Sequence, residues 1–155
     1  MERKISYAGL FLAFIVLTLP VNAQKTNIGI GIILSDVPAV SSKIWLKNKN
    51  MNAFDFALGF KTNDYLYFHT TYILKHNYKL INKGEITGDI PFYYGPGIVL
   101  KSNTAGIRFA FGLEYIFQEM PLDIFAEIAP VILFMKKTGF ELSAGIGVRY
   151  YGFNY

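Results

Sequence analysis

Gly106-Ile107-Arg108-Phe109-Ala110-Phe111-Gly112-Leu113-Glu114-Tyr115-Ile116-Phe117 is the stretch on which the fold turns. Every second residue from Ile107 is bulky and apolar: Ile107, Phe109, Phe111, Leu113, Tyr115, Phe117. The residues between them are Gly106, Arg108, Ala110, Gly112, Glu114 and Ile116. A period of two belongs to a β-strand, whose side chains alternate between faces. Ala53–Lys61 repeats the pattern, with Phe54, Phe56, Leu58 and Phe60 against Ala53, Asp55, Ala57, Gly59 and Lys61. The second face chooses the environment. A water-soluble barrel hides its apolar face and shows water many Lys, Glu and Thr. Here the second face is mostly Gly and Ala with isolated charges, which suits a narrow lumen where side chains from all strands converge. The bulky face is then left for lipid. On this reading Phe54, Phe56, Phe60, Phe109, Phe111 and Phe117 are lipid-facing.

Six further stretches carry weaker strand patterns. Asn27–Ser35 alternates Ile with Gly, placing Ile28, Ile30 and Ile32 on one face. Ser42–Lys47 is short and ambiguous, with Ile44 and Leu46 outward and Trp45 inward. Tyr65–Asn77 reads as one strand, Ile90–Ser102 as the next, then Leu122–Met135 and Phe140–Tyr150. Turn residues separate them at Asp36-Val37-Pro38, Asn48–Asn52, Thr62-Asn63-Asp64, Ser102-Asn103-Thr104, Glu119-Met120-Pro121 and Lys136–Gly139. The expected fold is all-β, an eight-stranded antiparallel closed transmembrane β-barrel. Eight strands enclose a space just wide enough to be filled by side chains, so no wide pore is expected.

The N-terminus reads as an export signal. Glu2-Arg3-Lys4 precedes an apolar run from Ile5 to Leu19, followed by Pro20 and Val21-Asn22-Ala23. That is the order of charged region, hydrophobic region and small-residue cleavage site. The run falls short of the roughly 20 residues that a spanning helix needs. Residues 1–23 are expected to be a cleaved signal peptide and residues 24–155 the barrel, starting at Gln24. With no Cys, there is no lipid-attachment cysteine, no disulfide and no thiol metal site. Removing Glu2, Arg3 and Lys4 from 15 basic and 11 acidic residues leaves 13 and 10, a charge of +3. The Lys are scattered, which argues against nucleic acid as a partner. The expected address is the outer membrane. The expected partners are its lipid and, during insertion, the barrel-assembly machinery; a surface partner stays open.

The lumen-facing polar residues are the only candidates for chemistry. They are Asp55, Arg108, Glu114, Glu127, Glu141 and Arg149, with His69 and Lys101 near them. Arg meets a carboxylate through two parallel hydrogen bonds, and enclosed charges must be paired, so an internal ion-pair network is expected. Its simplest role is to fill and stiffen the lumen; a narrow, low-conductance ion path is the alternative. His69 and His76 are seven apart and so point to opposite faces of a regular strand, which argues against a shared metal site. His69-Thr70-Thr71 is the nearest approach to the His, hydroxyl and acid of a lipid-modifying enzyme, and no acid is placed to orient the imidazole. No catalytic residue, metal or cofactor is therefore assigned. Pro91, Pro96 and Pro130 should each mark a strand end or a bulge. Tyr65, Tyr93, Tyr94, Tyr115, Tyr150 and Tyr151 lie near strand ends and are candidates for an interfacial aromatic girdle. The glycine pairs Gly29-x-Gly31 and Gly145-x-Gly147 open no helix, so they do not read as phosphate loops.

Several stretches, in order, carry a family resemblance. They are Gly29-Ile30-Gly31-Ile32-Ile33-Leu34, Ile44-Trp45-Leu46, Phe54-Asp55-Phe56-Ala57-Leu58-Gly59 and Ile90-Pro91-Phe92-Tyr93-Tyr94-Gly95. Pro121–Pro130, with Glu127-Ile128-Ala129-Pro130, and Gly145-Ile146-Gly147-Val148-Arg149-Tyr150-Tyr151 complete them. The chain resembles a small outer-membrane β-barrel family described from spirochaetes, long catalogued as a domain of unknown function and likened to OmpX and OmpA. The resemblance implies the barrel and the outer-membrane address, with no activity and no catalytic residues.

Two features depart from that pattern. The chain runs on past the paired Tyr as Gly152-Phe153-Asn154-Tyr155, whose aromatics share a phase opposite to Val148 and Ile146. A bulge near Gly152 reconciles them; otherwise the outward pattern ends at Tyr150. Counting strands also places the longest connection, Tyr78–Asp89, at the end that holds both termini, and leaves the opposite connections short. The expected role is structural or surface-interactive. A narrow channel, a lipid-modifying enzyme and a periplasmic barrel for a hydrophobic ligand are the alternatives.

Overall fold

The structure is a computed structural model that describes residues 27–46, 51–61, 65–77, 88–117, 120–135 and 138–152. The expected signal peptide and the Phe153–Tyr155 tail lie outside the described residues. The described chain is all-β. Its strand segments are β1 (Ile28–Ser35), β2 (Ala39–Trp45), β3 (Ala53–Lys61), β4 (Tyr65–Ile73), β5 (Lys75–Asn77), β6 (Gly88–Asp89), β7 (Phe92–Lys101), β8 (Thr104–Phe117), β9 (Leu122–Leu133) and β10 (Gly139–Tyr151). Neighbours pair antiparallel in chain order, and β1 pairs with β10 to close the ring. Closure leaves a barrel without a first or last strand.

Ten segments make eight staves. β6 and β7 are one stave, because Asp89↔Ile116 and Phe92↔Leu113 keep one register across Ile90-Pro91. Pro91 thus marks a break in pairing, and its carbonyl still accepts from the Glu114 N–H at 3.1 Å. β4 and β5 also form one stave, but its register slips. Thr71 pairs with Gly97, while Lys75 pairs with Tyr94, so β4–β5 holds one residue more than the facing strand. That extra residue is a β-bulge around Leu74. Gly95 and Tyr94 face it, the Leu74 N–H donating to the Tyr94 carbonyl at 3.0 Å. Asn52 ties the bulge down, its side-chain amide donating to the carbonyls of Ile73 at 3.2 Å and Leu74 at 2.7 Å.

Three expectations about strands are corrected. β2 starts at Ala39, just after Pro38, rather than at Ser42, because Val40 and Ala39 already pair with β1 and β3. Tyr65–Asn77 is not one regular strand. Pro130 marks neither a strand end nor a bulge. It sits inside β9, where the β8–β9 ladder skips from Arg108↔Val131 to Phe111↔Ile128 without changing register. The ladder absorbs the missing N–H as a local gap.

The rim at which β1 begins and β10 ends is called the lower rim. The strand ends Ser35 and Ala39, Lys61 and Tyr65, Lys101 and Thr104, and Leu133 and Gly139 lie at the upper rim. Asn77 and Gly88, which flank the longest connection, are both at the lower rim. The staves are uneven in height. β8, β9 and β10 have 14, 12 and 13 residues, against 8 and 7 in β1 and β2. β1 pairs β10 only as far as Ser35↔Gly145. Gly139–Ala144 therefore rise above β1, paired to β9 on one side, and among the described residues no strand pairs with the other edge.

The faces are inverted relative to a soluble barrel. Inward positions hold the buried residues, including Arg149, Lys43, Glu114 and Asp123 at 0% exposure. Outward positions hold Leu34, Leu58, Phe60, Ile107, Ile128, Phe140, Leu142 and Ile146, all exposed. Among the described strand side chains, no outward position carries an Asp, Glu, Lys or Arg.

Candidate functional site: the charged lumen

Small inward residues make room for large ones. A Cβ on Gly112 would meet the Tyr93 ring at 2.2 Å, and one on Gly147 would meet the Phe125 ring at 2.4 Å. Each ring lies across a glycine on the neighbouring stave. The inward Gly and Ala therefore act as a floor for side chains that reach across the lumen.

Two apolar layers close the lumen. Val37, Tyr67, Val99, Val131 and Leu133 cluster near the upper rim. Trp45, Ala53, Ile73, Tyr93 and Tyr151 cluster near the lower rim, with Ile116 against them. Ile33, Ala39, Ala57 and Phe125 form a further apolar group between. The charges lie in the intervals.

The main cluster centres on Arg149 of β10. Its guanidinium donates to Asp55 on β3, to Asp123 on β9 at 3.2 Å and to Glu114 on β8 at 3.3 Å. The register explains the convergence: Arg149 pairs with Asp123 across the β9–β10 ladder and with Gly31 on β1, which has no side chain to obstruct it. The guanidinium also stacks on the Phe125 ring, 3.8 Å from its centre. Lys43 of β2 donates to both Glu114 oxygens at 2.7 and 2.6 Å. It lies 4.5 Å from the Trp45 ring centre and 4.9 Å from that of Tyr93, so the cation has aromatic faces where it lacks carboxylates. The Tyr151 hydroxyl donates to Asp123 at 2.5 Å. His76 Nε2 lies 3.5 Å from Glu114.

A second, smaller cluster pairs Arg108 with Glu127, which also accepts from the Tyr93 hydroxyl at 3.2 Å. Arg108 Nε and Nη1 have no protein partner among the described residues. His69 Nδ1 meets the Tyr67 hydroxyl at 2.9 Å. Thr71 is buried beside it, and its hydroxyl likewise has no protein partner. Thr70 faces the outer wall, so the His69-Thr70-Thr71 run divides between the two faces of β4.

The residues expected in one network divide in three. Asp55, Glu114 and Arg149 join the lower cluster. Arg108 and Glu127 form their own pair with His69 nearby. Lys101 and Glu141 pair with each other at the upper rim, where Glu141 is exposed, so Glu141 belongs to the rim and not to the enclosed lumen. Glu141 lies in the raised part of β10, above the closed ring. Sequence reasoning left out Lys43, although the alternation of Ser42–Lys47, with Ile44 outward and Trp45 inward, already puts it on the inward face. Asp123, inward by the same β9 alternation that turns Glu127 inward, is a further member that the expected network lacked. His76 was missed for a different reason. It was expected on the face opposite His69, yet both are buried in the lumen, at 4% and 5% exposure, because the bulge reverses the alternation between them.

The expected outward residues all occupy outward positions. Phe54, Phe60 and Phe111 are exposed, and Phe56, Phe109 and Phe117 are half-buried by neighbouring rings. Two girdle candidates are corrected: Tyr93 and Tyr151 point inward and close the lower end. Tyr94, Tyr115 and Tyr150 point outward. The tail question is settled as far as Tyr151, which continues β10 inward over Gly29; the chain bends at Gly152.

Comparison of the chain with protein-family models, curated proteins and solved structures gives no match.

Proposed function

We propose that this chain is a small outer-membrane barrel of the kind the sequence resembles, with a structural or surface-interactive role and a lumen filled by its own side chains. One observation carries the reading: among the described strand side chains, the charges are on the inward face and the outward positions carry none. A wall of exposed Phe, Ile, Leu and Val that runs around the staves has no counterpart in a water-soluble barrel, and it suits hydrocarbon. The lumen argues against a carrier of a hydrophobic ligand, since it is charged and occupied. The two apolar layers and the paired charges between them weigh against an open ion path. The edge of Gly139–Ala144, which no strand pairs among the described residues and on which Phe140 and Leu142 are exposed, favours surface contact as the role, since an open edge offers backbone hydrogen bonds to another strand.

Heat-modifiability tests the proposal. The chain from Gln24, refolded into detergent micelles, is run on a gel unboiled and boiled. A mobility shift with protease resistance of the unboiled form is the expected result. A protein that remains in solution without detergent and shows no shift overturns it.

A further inference from the structure

The lower cluster is one cation short. Among the described side chains enclosed in the lumen, Lys43, Arg108 and Arg149 stand against Asp55, Glu114, Asp123 and Glu127. Arg108 and Glu127 pair with each other, so Lys43 and Arg149 are left with three carboxylates. An unbalanced charge in a sealed interior is strongly unfavourable.

Two contacts show where the balance is restored. Glu114 and Asp123 converge on one guanidinium, Arg149 donating to Glu114 at 3.3 Å and to Asp123 at 3.2 Å. Two buried carboxylates drawn onto one cation oppose each other's ionisation, which favours a proton on one of them. His76 supplies the second. Its Nδ1 is 2.5 Å from the Met51 carbonyl oxygen, which can only accept, so Nδ1 carries the hydrogen. In the neutral ring Nε2 is then an acceptor. It is buried, has no hydrogen-bond partner among the described residues, and points at Glu114. Two acceptors face each other there unless the imidazole or the carboxyl side carries a proton. Burial and the Lys43 ammonium, which sits on the same Glu114 oxygen at 2.6 Å, both oppose an imidazolium, so the proton falls to the carboxyl side.

We propose that the lumen binds one proton on the Glu114–Asp123 pair, and that this proton takes the place of a third cation in the sealed cluster. The proton belongs to the pair and not to one residue. The groups that face the pair are Lys43 from β2, Asp55 from β3, His76 from β5, Tyr93 from β7, and Arg149 and Tyr151 from β10. β1 presents Gly29 and Gly31 there, and β4 presents Thr71 and Ile73. Arg149 and the Tyr151 hydroxyl hold Asp123, and Lys43 holds Glu114. Trp45, Tyr93 and Tyr151 shield the site from the lower rim. The inference depends on the lumen alone and holds whether or not the barrel sits in a membrane.

Infrared spectroscopy of the folded wild-type protein at pH 7 tests it, because a protonated carboxyl has a C=O stretch apart from that of a carboxylate. One such band is expected. It is expected to vanish in Asp123→Asn, whose amide offers N–H in place of the acid proton and whose folding is checked by the gel shift. A wild-type spectrum without an acid band overturns the proposal, as does a band that survives in Asp123→Asn. If that variant does not fold, the wild-type pH series decides. Above about pH 7.5 the carboxyls and imidazoles of an unfolded chain hold no proton. A folded barrel that still holds one then loses stability as pH rises, and its unfolding constant grows about tenfold per pH unit until the proton leaves. An unfolding constant that is flat from about pH 7.5 to 8.5 overturns the proposal.

Discussion

His69 and His76 both point into the lumen although seven positions separate them, because the bulge at Leu74 adds a residue between β4 and β5. A regular strand would send one of them to the outer wall. The bulge delivers His76 to Glu114 and stacks its ring 4.3 Å from Trp45, at the lower closure. It is held by Asn52, which comes from the neighbouring stave.

The bulge depends on that amide. Asn52→Ala leaves the Ile73 and Leu74 carbonyls without their donor, and is expected to cost about 1–3 kcal/mol in chemical unfolding. The expected local sign is faster hydrogen exchange at Leu74 and at its neighbours on β7. An unchanged unfolding midpoint would show that the bulge is held by pairing alone.

The glycine floor is a steric requirement. Gly112→Val places a side chain where the Tyr93 ring lies, and is expected to destabilise the barrel by about 1–3 kcal/mol. Adding Tyr93→Ala to Gly112→Val should recover part of that loss, whereas Tyr93→Ala alone should be destabilising. Additive losses in this double-mutant cycle would show that the two positions do not compete for space.

Arg149 is the most connected charge in the lumen. Arg149→Met takes the guanidinium from three carboxylates and leaves Asp55 without its cation, while Lys43 keeps Glu114 and the Tyr151 hydroxyl keeps Asp123; it is expected to lower stability by about 3–5 kcal/mol. Single-channel recordings of the variant should stay silent, since the apolar layers above and below remain. Discrete conductance steps in Arg149→Met would instead show that the guanidinium is what blocks an ion path.

The outer wall discriminates a membrane barrel from a soluble one. Ile128, 52% exposed at mid-height on β9, is the position to charge. In a bilayer Ile128→Arg is expected to cost about 2–4 kcal/mol. An exposed position in water would shift by about 0.5 kcal/mol at most. Refolding of both forms into vesicles, followed by urea titration, reads the difference. A cost within the aqueous range would overturn the membrane reading.

Much of the architecture is written in local alternation. From Gly106 to Phe117 and from Ala53 to Lys61, the period of two assigns each side chain to a face without reference to any other strand, and eight staves follow from the turns between such stretches. The inward position of Asp55, Arg108, Glu114 and Arg149 follows from the same rule. The rule failed where a register changes. It misplaced His76 because a bulge is a relation between two strands, and nothing in Thr71–Lys75 alone marks the extra residue. It failed also at Pro130, where the ladder absorbs a missing donor in place.

By itself, then, the sequence determined the strands, their count and their inverted faces, because alternation is a property of one strand. Only the tertiary structure decided which charges meet. Arg149 and Asp55 are far apart in the chain and come together because closing the ring brings β10 against β1 and turns both side chains to one axis. It also decided that Lys101 and Glu141 stand at the rim, that Tyr93 and Tyr151 close the lower end, and that three carboxylates share two cations. Pairing across a lumen depends on register and strand stagger, which are set by all the staves together.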